Sequence, residues 1–276
     1  MPCANSVLLT GSAPAARIMN DKVETARFAG RHGLPFAPTA ENAHEALCLA
    51  AAHGLPLIGK PRSGYGGRGV MVLRSAAEIE RAFESCFDLI AQAFLDPPPN
   101  IDVLVAPFEA GLPFFFSFPE DSQHTVQVLV RPDGEISNPF GCLNKQVGGQ
   151  SLQNKRCDDP ELLKVGRAYA RAAAAEGWRG PLNVQLKRTS EGRLAAYELN
   201  GRFGGATAAR TCMGFDEVGD AVRQFLPGAA FPSVSASGCD VVQKHLRSYP
   251  LPCEGVTGLR TSGKWSRGLR QNELYC

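Results

Sequence analysis

Several features that would assign this chain to a specialised class of protein are missing from its sequence. Its longest apolar stretch, around Phe114–Phe118, is far shorter than the ~20 residues that a membrane-spanning helix needs. Lysine plus arginine number 29 and aspartate plus glutamate 27, a balance too even to predict a nucleic-acid or membrane-surface partner. The N-terminus lacks the basic-then-apolar pattern of a secretory signal. We therefore expect a cytoplasmic protein.

Cysteine and histidine also show no pattern typical of a metal centre or a nucleophilic enzyme. The nine cysteines include no Cys-x-x-Cys pair, and their odd number favours reduced thiols over a disulfide scaffold. The five histidines are dispersed, and no convincing Ser–His or Cys–His arrangement is evident. Any chemistry must therefore come from other side chains.

The order of predicted elements indicates an α+β fold, because helices alternate with several antiparallel connections. Predicted helices span 21–32, 42–53, 76–86, 159–176 and 216–226. Predicted strands span 6–10, 55–60, 70–73, 89–95, 101–107, 114–118, 125–130, 183–187 and 194–200. A turn at 132–134 predicts a hairpin, and the polar, glycine-bearing segment 141–157 is predicted to be a loop. Three consecutive prolines at 97–99 predict a junction between two lobes.

One predicted hairpin carries an unusual set of polar side chains. If its turn is symmetric about residues 191–192, Gln185 faces Glu198 across the two strands. Asn183 then faces Asn200, and all four side chains share one face. The opposite face, expected to pack on a core, carries Val184, Leu186, Ala195, Tyr197 and Leu199. An amphipathic hairpin with its polar face in water is one interpretation, but amide and carboxylate oxygens are also the ligands that magnesium prefers.

The residues after this hairpin favour the metal interpretation. Arg202 follows Asn200 by two positions and returns to the same face, where a guanidinium could hold a phosphate through two hydrogen bonds. The segment Asn183-Val-Gln185, followed by Glu198-Leu-Asn200-Gly-Arg202, resembles the metal and phosphate segment of the ATP-grasp superfamily, in its carbamoyl-phosphate-synthase-like branch. This resemblance implies that Gln185, Glu198 and Asn200 are metal ligands and that Arg202 stabilises the transferred phosphate. Gly201 replaces the proline usual in that family.

Upstream motifs extend the resemblance to the phosphate-binding side. Lys60 ends an apolar strand and precedes a glycine-rich loop at 64–69, whose backbone N–H groups could hold phosphate. The resemblance implies that Lys60, together with Gly66 and Gly67, contacts ATP phosphates. It also implies a nucleotide contact for Lys22, although a lysine that opens a helix is more often a surface residue.

The nucleoside side matches the family less well. The strand 89–95 corresponds to the segment that links the lobes, which implies adenine contacts for Gln92, Phe94 and Leu95. Ala93 stands where the family usually has a ribose-binding glutamate, and Pro98 stands where it usually has a second acid. We therefore expect fewer ribose contacts, or a nucleotide held differently.

The resemblance implies an ATP-grasp fold of two α+β lobes with the nucleotide between them. We expect a small lobe at 21–95, a large lobe with the metal site at 96–230 and a C-terminal extension at 231–276. Residues 1–20 are then the remnant of a preceding domain or an N-terminal strand, because relatives carry a longer α/β domain there. Either a partner subunit supplies that domain, or the start is truncated, or the protein works without it.

The implied activity is that of an ATP-dependent ligase. It would join a small-molecule carboxylate to an amine or ammonia through an acyl phosphate, with Mg²⁺ as cofactor and Mn²⁺ as the alternative metal. Basic residues of the segment 141–157, Lys145, Lys155 and Arg156, are candidates to meet the substrate acid. A nucleotide-binding module without turnover, a subunit that needs its partner in trans, a purely structural fragment and a homodimer all stay open.

Overall fold

The structure is a computed structural model that describes residues 7–64, 66–106, 120–147, 150–232, 234, 237–245, 257 and 260–263. Over these residues, no helix has the length and apolar character needed to cross a membrane. Residues Met1–Gln243 form one compact unit and Lys244–Cys276 form a second. All the elements below belong to the first unit.

The helices begin where the sequence offers a capping side chain. Asp21, Asn42, Ser75, Asp159 and Asp216 each accept a hydrogen bond from a backbone N–H in the first turn of the helix that follows. These residues open the helices α2 (Lys22–Arg31), α3 (Ala43–His53), α4 (Ala76–Ser85), α6 (Pro160–Ala175) and α8 (Glu217–Phe225). All five predicted helices are therefore confirmed. The sequence did not predict the helices α1 (Ala13–Asn20), α5 (Ile101–Val105) and α7 (Thr207–Cys212).

A small antiparallel sheet forms the N-terminal part of the unit. Its strands lie in the order β1-β4-β2-β3. Their bounds are β1 Thr39–Ala40, β2 Leu57–Pro61, β3 Met71–Leu73 and β4 Leu89–Ala93. The helices α3 and α4 supply Ala46 and Ile79 to the apolar cluster on this sheet, where Leu57 is fully buried. The sheet positions Lys60 near the end of β2 and Gln92 in β4.

A larger antiparallel sheet carries the predicted metal hairpin. Its six strands lie in the order β10-β7-β6-β5-β8-β9. Their bounds are β5 Glu120–Val130, β6 Phe140–Val147, β7 Gln150–Arg156, β8 Gly180–Arg188, β9 Leu194–Asn200 and β10 Val241–Gln243. One face packs on α1, α2 and α6 in a single apolar cluster. The opposite face bears polar side chains over much of its area and meets α7 at one end, where Phe140 and Ala209 belong to one apolar cluster.

Three sequence predictions about secondary structure are wrong. The described part of the predicted strand 101–107 is helical, since Ile101 and Val105 are buried one helical turn apart and form one side of α5. The described residues of the segment 141–157 do not form a loop but strands β6 and β7, where Asn144 and Asn154 are buried and bond to each other while Lys145, Lys155 and Arg156 are exposed. The described part of the predicted strand at 6–10 runs against the start of β8 without joining a sheet. The predicted strand at 114–118 lies outside the described residues.

The predicted division at 20, 95 and 230 stays a prediction. Helix α2, which belongs to the small lobe in that division, packs Phe28 and Ala29 into the core of the larger sheet. Helix α1 contributes Ala15, Ile18 and Met19 to the same core.

Candidate nucleotide and metal site

The hairpin β8–β9 has the predicted register where it matters for the site. Asn183 pairs with Asn200, and Gln185 pairs with Glu198. Since side chains alternate along each strand, the four lie on one face of the sheet. The predicted grouping of this polar cluster is therefore confirmed.

A bulge next to Gln185 changes the other face of the hairpin. Leu186 pairs with Ala196 and not with Tyr197, so β9 carries one extra residue at this point. The shift turns Ala196 towards the core, where it is fully buried, and brings Tyr197 to the lining of a cleft. The prediction that Ala195 and Tyr197 belong to the core-facing side was wrong, because a one-residue shift moves side chains to the opposite face.

A cleft of about 430 Å³ lies at the end of β9. Its lining comes from the α1–α2 junction, the segment after β2 and the last strand of the larger sheet. The lining residues are Met19, Asn20, Lys22, Thr25, Ser63, Gly64, Tyr197, Glu198, Leu199, Asn200 and Arg202. Four predicted site residues, from two separate segments of the chain, therefore meet in one cavity: Lys22, Glu198, Asn200 and Arg202.

Two of the three predicted metal ligands are adjacent in this cleft. The amide nitrogen Nδ2 of Asn200 donates to Oε1 of Glu198 at 3.2 Å. With its nitrogen engaged, Asn200 keeps Oδ1 as the atom that can bind a cation. Gln185 lies opposite Glu198, but its Oε1 already accepts a hydrogen bond from Nε2 of Gln123 at 3.1 Å. Of the three predicted ligands, Glu198 and Asn200 are thus the better placed.

The donor set suits a hard divalent cation that is shared with phosphate. In the described part of the chain, no group of three or more histidine, cysteine, aspartate or glutamate side chains could hold a metal. One carboxylate and neutral amide oxygens fit magnesium, because this ion keeps several waters and uses substrate phosphates as further ligands. Lys22 and Arg202 in the same cleft provide the positive charge that those phosphates need.

The glycine-rich segment adjoins the cleft through Lys22 and the residues around Lys60. The ammonium of Lys22 lies 3.5 Å from the carbonyl oxygen of Gly64. Asp21 bonds both its oxygens to Nε of Arg62 at 2.7 Å, which raises the pKa of the arginine. The Asp21-Lys22 pair therefore fastens the start of α2 to the chain just after Lys60. Gly66 and Gly67 lie in the exposed turn that follows, both with positive φ.

Lys60 is held inside the protein near the cleft. Its Nζ donates to Oε1 of Gln92 at 2.6 Å and to the carbonyl oxygen of Tyr197 at 3.2 Å. The lysine is only 6% exposed. Gln92, predicted to contact adenine, also donates to Oγ1 of Thr39 at 3.0 Å, so its side chain connects two strands and Lys60.

The residues predicted to contact the nucleoside do not line the cleft that holds four of the other predicted site residues. Phe94 follows β4 and lies 5.7 Å below Nζ of Lys187, a buried lysine of β8 that the sequence did not single out. Leu95 follows Phe94, half-buried, and neither residue lines the cleft described above. Lys187 could have been found from the alternation of β8, because it follows Gln185 by two positions on the polar face.

Trp178 approaches Gly201 so closely that a side chain at this residue would clash with it. A Cβ at residue 201 would come within 2.4 Å of Cη2 of Trp178, which is buried at 1% exposure. The departure from the family's proline is therefore a matter of packing. Trp178 occupies the space that a larger residue between Asn200 and Arg202 would need.

A buried ion pair lies on the polar face of the larger sheet, and no pattern in the sequence indicates it. Arg210 and Glu217 are 1% and 2% exposed, and Nη2 lies 2.6 Å from Oε1. The neighbouring Cys142 is also buried, and burial raises the pKa of its thiol to about 12. Burial therefore favours the neutral form of this thiol, which is less reactive than the thiolate.

Known proteins match this chain in sequence and in fold. A sequence profile of the carbamoyl-phosphate synthase L chain, ATP binding domain, matches residues 21–106. A pyruvate carboxylase from Schizosaccharomyces pombe is 31% identical over 107 residues, which are 34% of this chain and 9% of that protein. A biotin carboxylase from Nostoc is 26% identical over 208 residues, 73% of this chain and 44% of that protein. The matches thus span well under two thirds of each relative's own length.

Solved structures show the same architecture. A biotin carboxylase–β-γ-ATP complex from Campylobacter jejuni gives a TM-score of 0.61 at 21% identity, covering 83% of this chain and 50% of the other. The chain has the ATP-grasp fold. A carboxyaminoimidazole ribonucleotide synthase from Aspergillus clavatus complexed with ATP gives 0.55 at 18% identity, covering 79% and 54%. With the profile match, this fold confirms the ATP-grasp resemblance inferred from the sequence.

Proposed function

We propose that this ATP-grasp chain binds Mg-ATP and acts as a carboxylate–amine ligase. One observation carries the proposal: Lys22, Glu198, Asn200 and Arg202 line a single cleft. Cations for phosphate and oxygen ligands for a metal are thereby available in one cavity. Related proteins support the same chemistry, since biotin carboxylase and carboxyaminoimidazole ribonucleotide synthase are among them.

The proposed reaction has two steps. A carboxylate oxygen of the substrate attacks the terminal phosphorus of ATP, so that an acyl phosphate forms and ADP leaves. The amine nitrogen then attacks the acyl carbon, the bond from that carbon to the phosphate oxygen breaks, and phosphate leaves while the nitrogen loses a proton to solvent. No side-chain nucleophile is needed.

The side chains of the cleft position the phosphates and stabilise their charge. Arg202 is exposed and lines the cleft, with Nη1 donating to the carbonyl oxygen of Phe203 at 3.2 Å. Its other N–H donors can stabilise the negative charge that shifts on the phosphoryl group during transfer. Lys22 supplies a second cation from the start of α2. Glu198 and Asn200 would hold a magnesium ion, whose contribution at such a site is to neutralise charge on phosphate oxygens.

An assay for ADP and phosphate tests the ligase proposal. Purified chain would be incubated with Mg-ATP and a panel of small carboxylates, each with ammonia or an amine, and ADP would be measured. ADP formed only when both substrates are present, and lost in Arg202→Ala, would support the proposal. The matched control is Arg193→Ala, an exposed arginine in the β8–β9 turn that pairs with Glu191.

A nucleotide-binding module without turnover is the second candidate. Ala93 has no polar group for a ribose, and the Gln92 side chain is already engaged by Lys60 and Thr39. Tight Mg-ATP binding with no ADP from any substrate pair would favour this candidate over the ligase.

A further proposal concerns assembly. Several related proteins are named as subunits, among them a 2-oxoglutarate carboxylase small subunit, and the biotin carboxylase domain of a 2-oxoglutarate carboxylase was solved as a dimer. We propose that this chain likewise works with a second subunit or as a homodimer. Light scattering on the purified chain tests the homodimer, and a monomeric mass would leave only the partner subunit.

A further inference from the structure

The buried ion pair between Arg210 and Glu217 is expensive to maintain. Removing two charges from water costs free energy that their mutual attraction often fails to return, so such a pair is weak evidence for stability alone. Arg210 directs Nε and Nη2 at the same oxygen of Glu217, at 3.0 and 2.6 Å. The second oxygen, Oε2, is buried without a hydrogen-bond partner. Stability alone therefore does not explain why the chain has this buried pair.

Arg210 also contacts the sheet on the face that bears the metal cluster. Its Nη2 donates to Oε1 of Gln127 at 3.2 Å, and the same oxygen accepts Nδ2 of Asn183 at 2.9 Å. Gln127 pairs with Asn183 across β5–β8, and Asn183 pairs with Asn200 across β8–β9. One row of side chains therefore runs from the buried charge to the cleft.

The charge of Arg210 determines how the side-chain amides of Gln127 and Asn183 are oriented. Because the guanidinium has only donors, Gln127 must present its oxygen, even though its Nε2 is left buried without a partner. Asn183 must then use its nitrogen on that oxygen. At the end of the row Asn200 also uses its nitrogen, donating to Glu198, so an oxygen remains for a cation. The opposite orientation of Gln127 would bring two donors together.

The same arginine supports the turn that carries Arg202. Oγ1 of Thr207 accepts Nη2 of Arg210 at 3.3 Å and the backbone N–H of Gly204 at 3.2 Å. Gly204 lies two residues after Arg202. Arg210 is thus bonded to Gln127, in the row of side chains that ends at Asn200, and to Thr207, which holds the turn after Arg202.

From this geometry we infer that Arg210, acting through Gln127 and Thr207, is a positioning residue for the metal–phosphate site. It touches neither nucleotide nor metal, and the pair with Glu217 keeps it in place. The inference rests on the proposed Mg-ATP function. It assigns to a buried pair the task of holding the ligand oxygens and Arg202 in register.

The test measures how much magnesium strengthens ADP binding. Calorimetry would give the dissociation constant of ADP without and with Mg²⁺, and the ratio of the two is the readout. A purely structural role for Arg210 would change stability but not this ratio. We expect the ratio to fall by about 10- to 100-fold, the range found when partners of metal ligands are removed. Binding of ADP without metal should stay unchanged.

Two variants keep the test independent of folding. The double substitution Arg210→Met with Glu217→Met replaces the pair by apolar side chains, an exchange that buried ion pairs often tolerate. Gln127→Met keeps the pair and removes only the shared oxygen. Arg188→Met is the control. Arg188 lies on the same strand as Asn183 but at the end far from Asn200, and the substitution breaks its ion pair with Asp159.

The outcomes show separately whether the role of Arg210 fails and whether the proposed Mg-ATP function fails. A reduced ratio in the double variant and in Gln127→Met, with a wild-type ratio in Arg188→Met, supports the inference. A wild-type ratio in either folded test variant overturns it and leaves Mg-ATP binding intact. If the unmodified chain itself shows no effect of Mg²⁺ on ADP, the proposed function fails and the inference fails with it.

Discussion

The metal–phosphate end of the site and its nucleoside end are built in different ways. Glu198, Asn200 and Arg202 lie within five consecutive residues, on a hairpin whose register follows from its own sequence. The predicted nucleoside contacts Gln92 and Phe94 come from β4 and the residue after it, and Phe94 lies against Lys187 of the large sheet. Residues close in sequence on one hairpin are positioned largely by their own backbone, so that surrounding groups such as Arg210 need only orient their side chains. Residues brought together from two sheets depend on every contact between those sheets.

The comparison predicts that the largest single loss of turnover comes from the hairpin end. Arg202→Ala should lower kcat by about 10²- to 10³-fold, the range for removing one donor that stabilises transition-state charge. Mg-ADP affinity should change far less, since ADP lacks the transferred phosphoryl group. Steady-state kinetics with the substrate pair found active would measure this.

Arg202→Lys refines that prediction. Lysine keeps the charge but loses the planar pair of donors, so an intermediate kcat is expected. Equal rates in the lysine variant and the unmodified chain would mean that charge alone matters at residue 202.

The next largest effect separates phosphates from the nucleoside. Lys60→Ala should weaken ATP binding by about 1.5–3 kcal/mol, as expected for a hydrogen bond to a charged group, and weaken adenosine binding much less. Calorimetry with both ligands measures the difference. Equal losses for ATP and adenosine would remove Lys60 from the phosphate site and put it at the nucleoside end with Gln92.

A smaller effect tests whether the hairpin end also depends on packing. Gly201→Ala should destabilise the fold by about 1–3 kcal/mol, because the new methyl group overlaps the ring of Trp178. Trp178→Phe removes the ring atoms nearest to residue 201. Combined with it, Gly201→Ala should cost less than it does alone, which thermal unfolding of the four proteins can measure. Additive losses would contradict the packing account.

The sequence allowed much of the fold to be predicted because local signals were strong. Capping side chains such as Asp21 and Asp159 marked helix starts, and the alternation in β8 and β9 gave the polar cluster with its cross-strand pairs. These features depend on neighbours within a few residues. The ATP-grasp resemblance then linked the hairpin to the glycine-rich loop far upstream.

The failures share one cause, which is tertiary context. Polar residues at 141–157 suggested solvent and a loop, yet Asn154 and Asn144 are buried and bond to each other at 2.6 Å. The bulge that reverses Tyr197 leaves no mark in the sequence around the turn. Arg210 and Glu217 become informative only when the helices α7 and α8 are seen against the sheet.

The most direct measurement of the central claim is the affinity of ADP for Glu198→Ala with and without magnesium. Glu198 provides the carboxylate of the predicted metal set and lines the cleft. Because the hydrogen bonds of the sheet join backbone atoms, they do not depend on its side chain. The account predicts that the variant keeps its fold, by circular dichroism, and that Mg²⁺ no longer strengthens ADP binding. A variant whose ADP affinity still rises with Mg²⁺ as in the unmodified chain would contradict the assignment of the metal to this cleft.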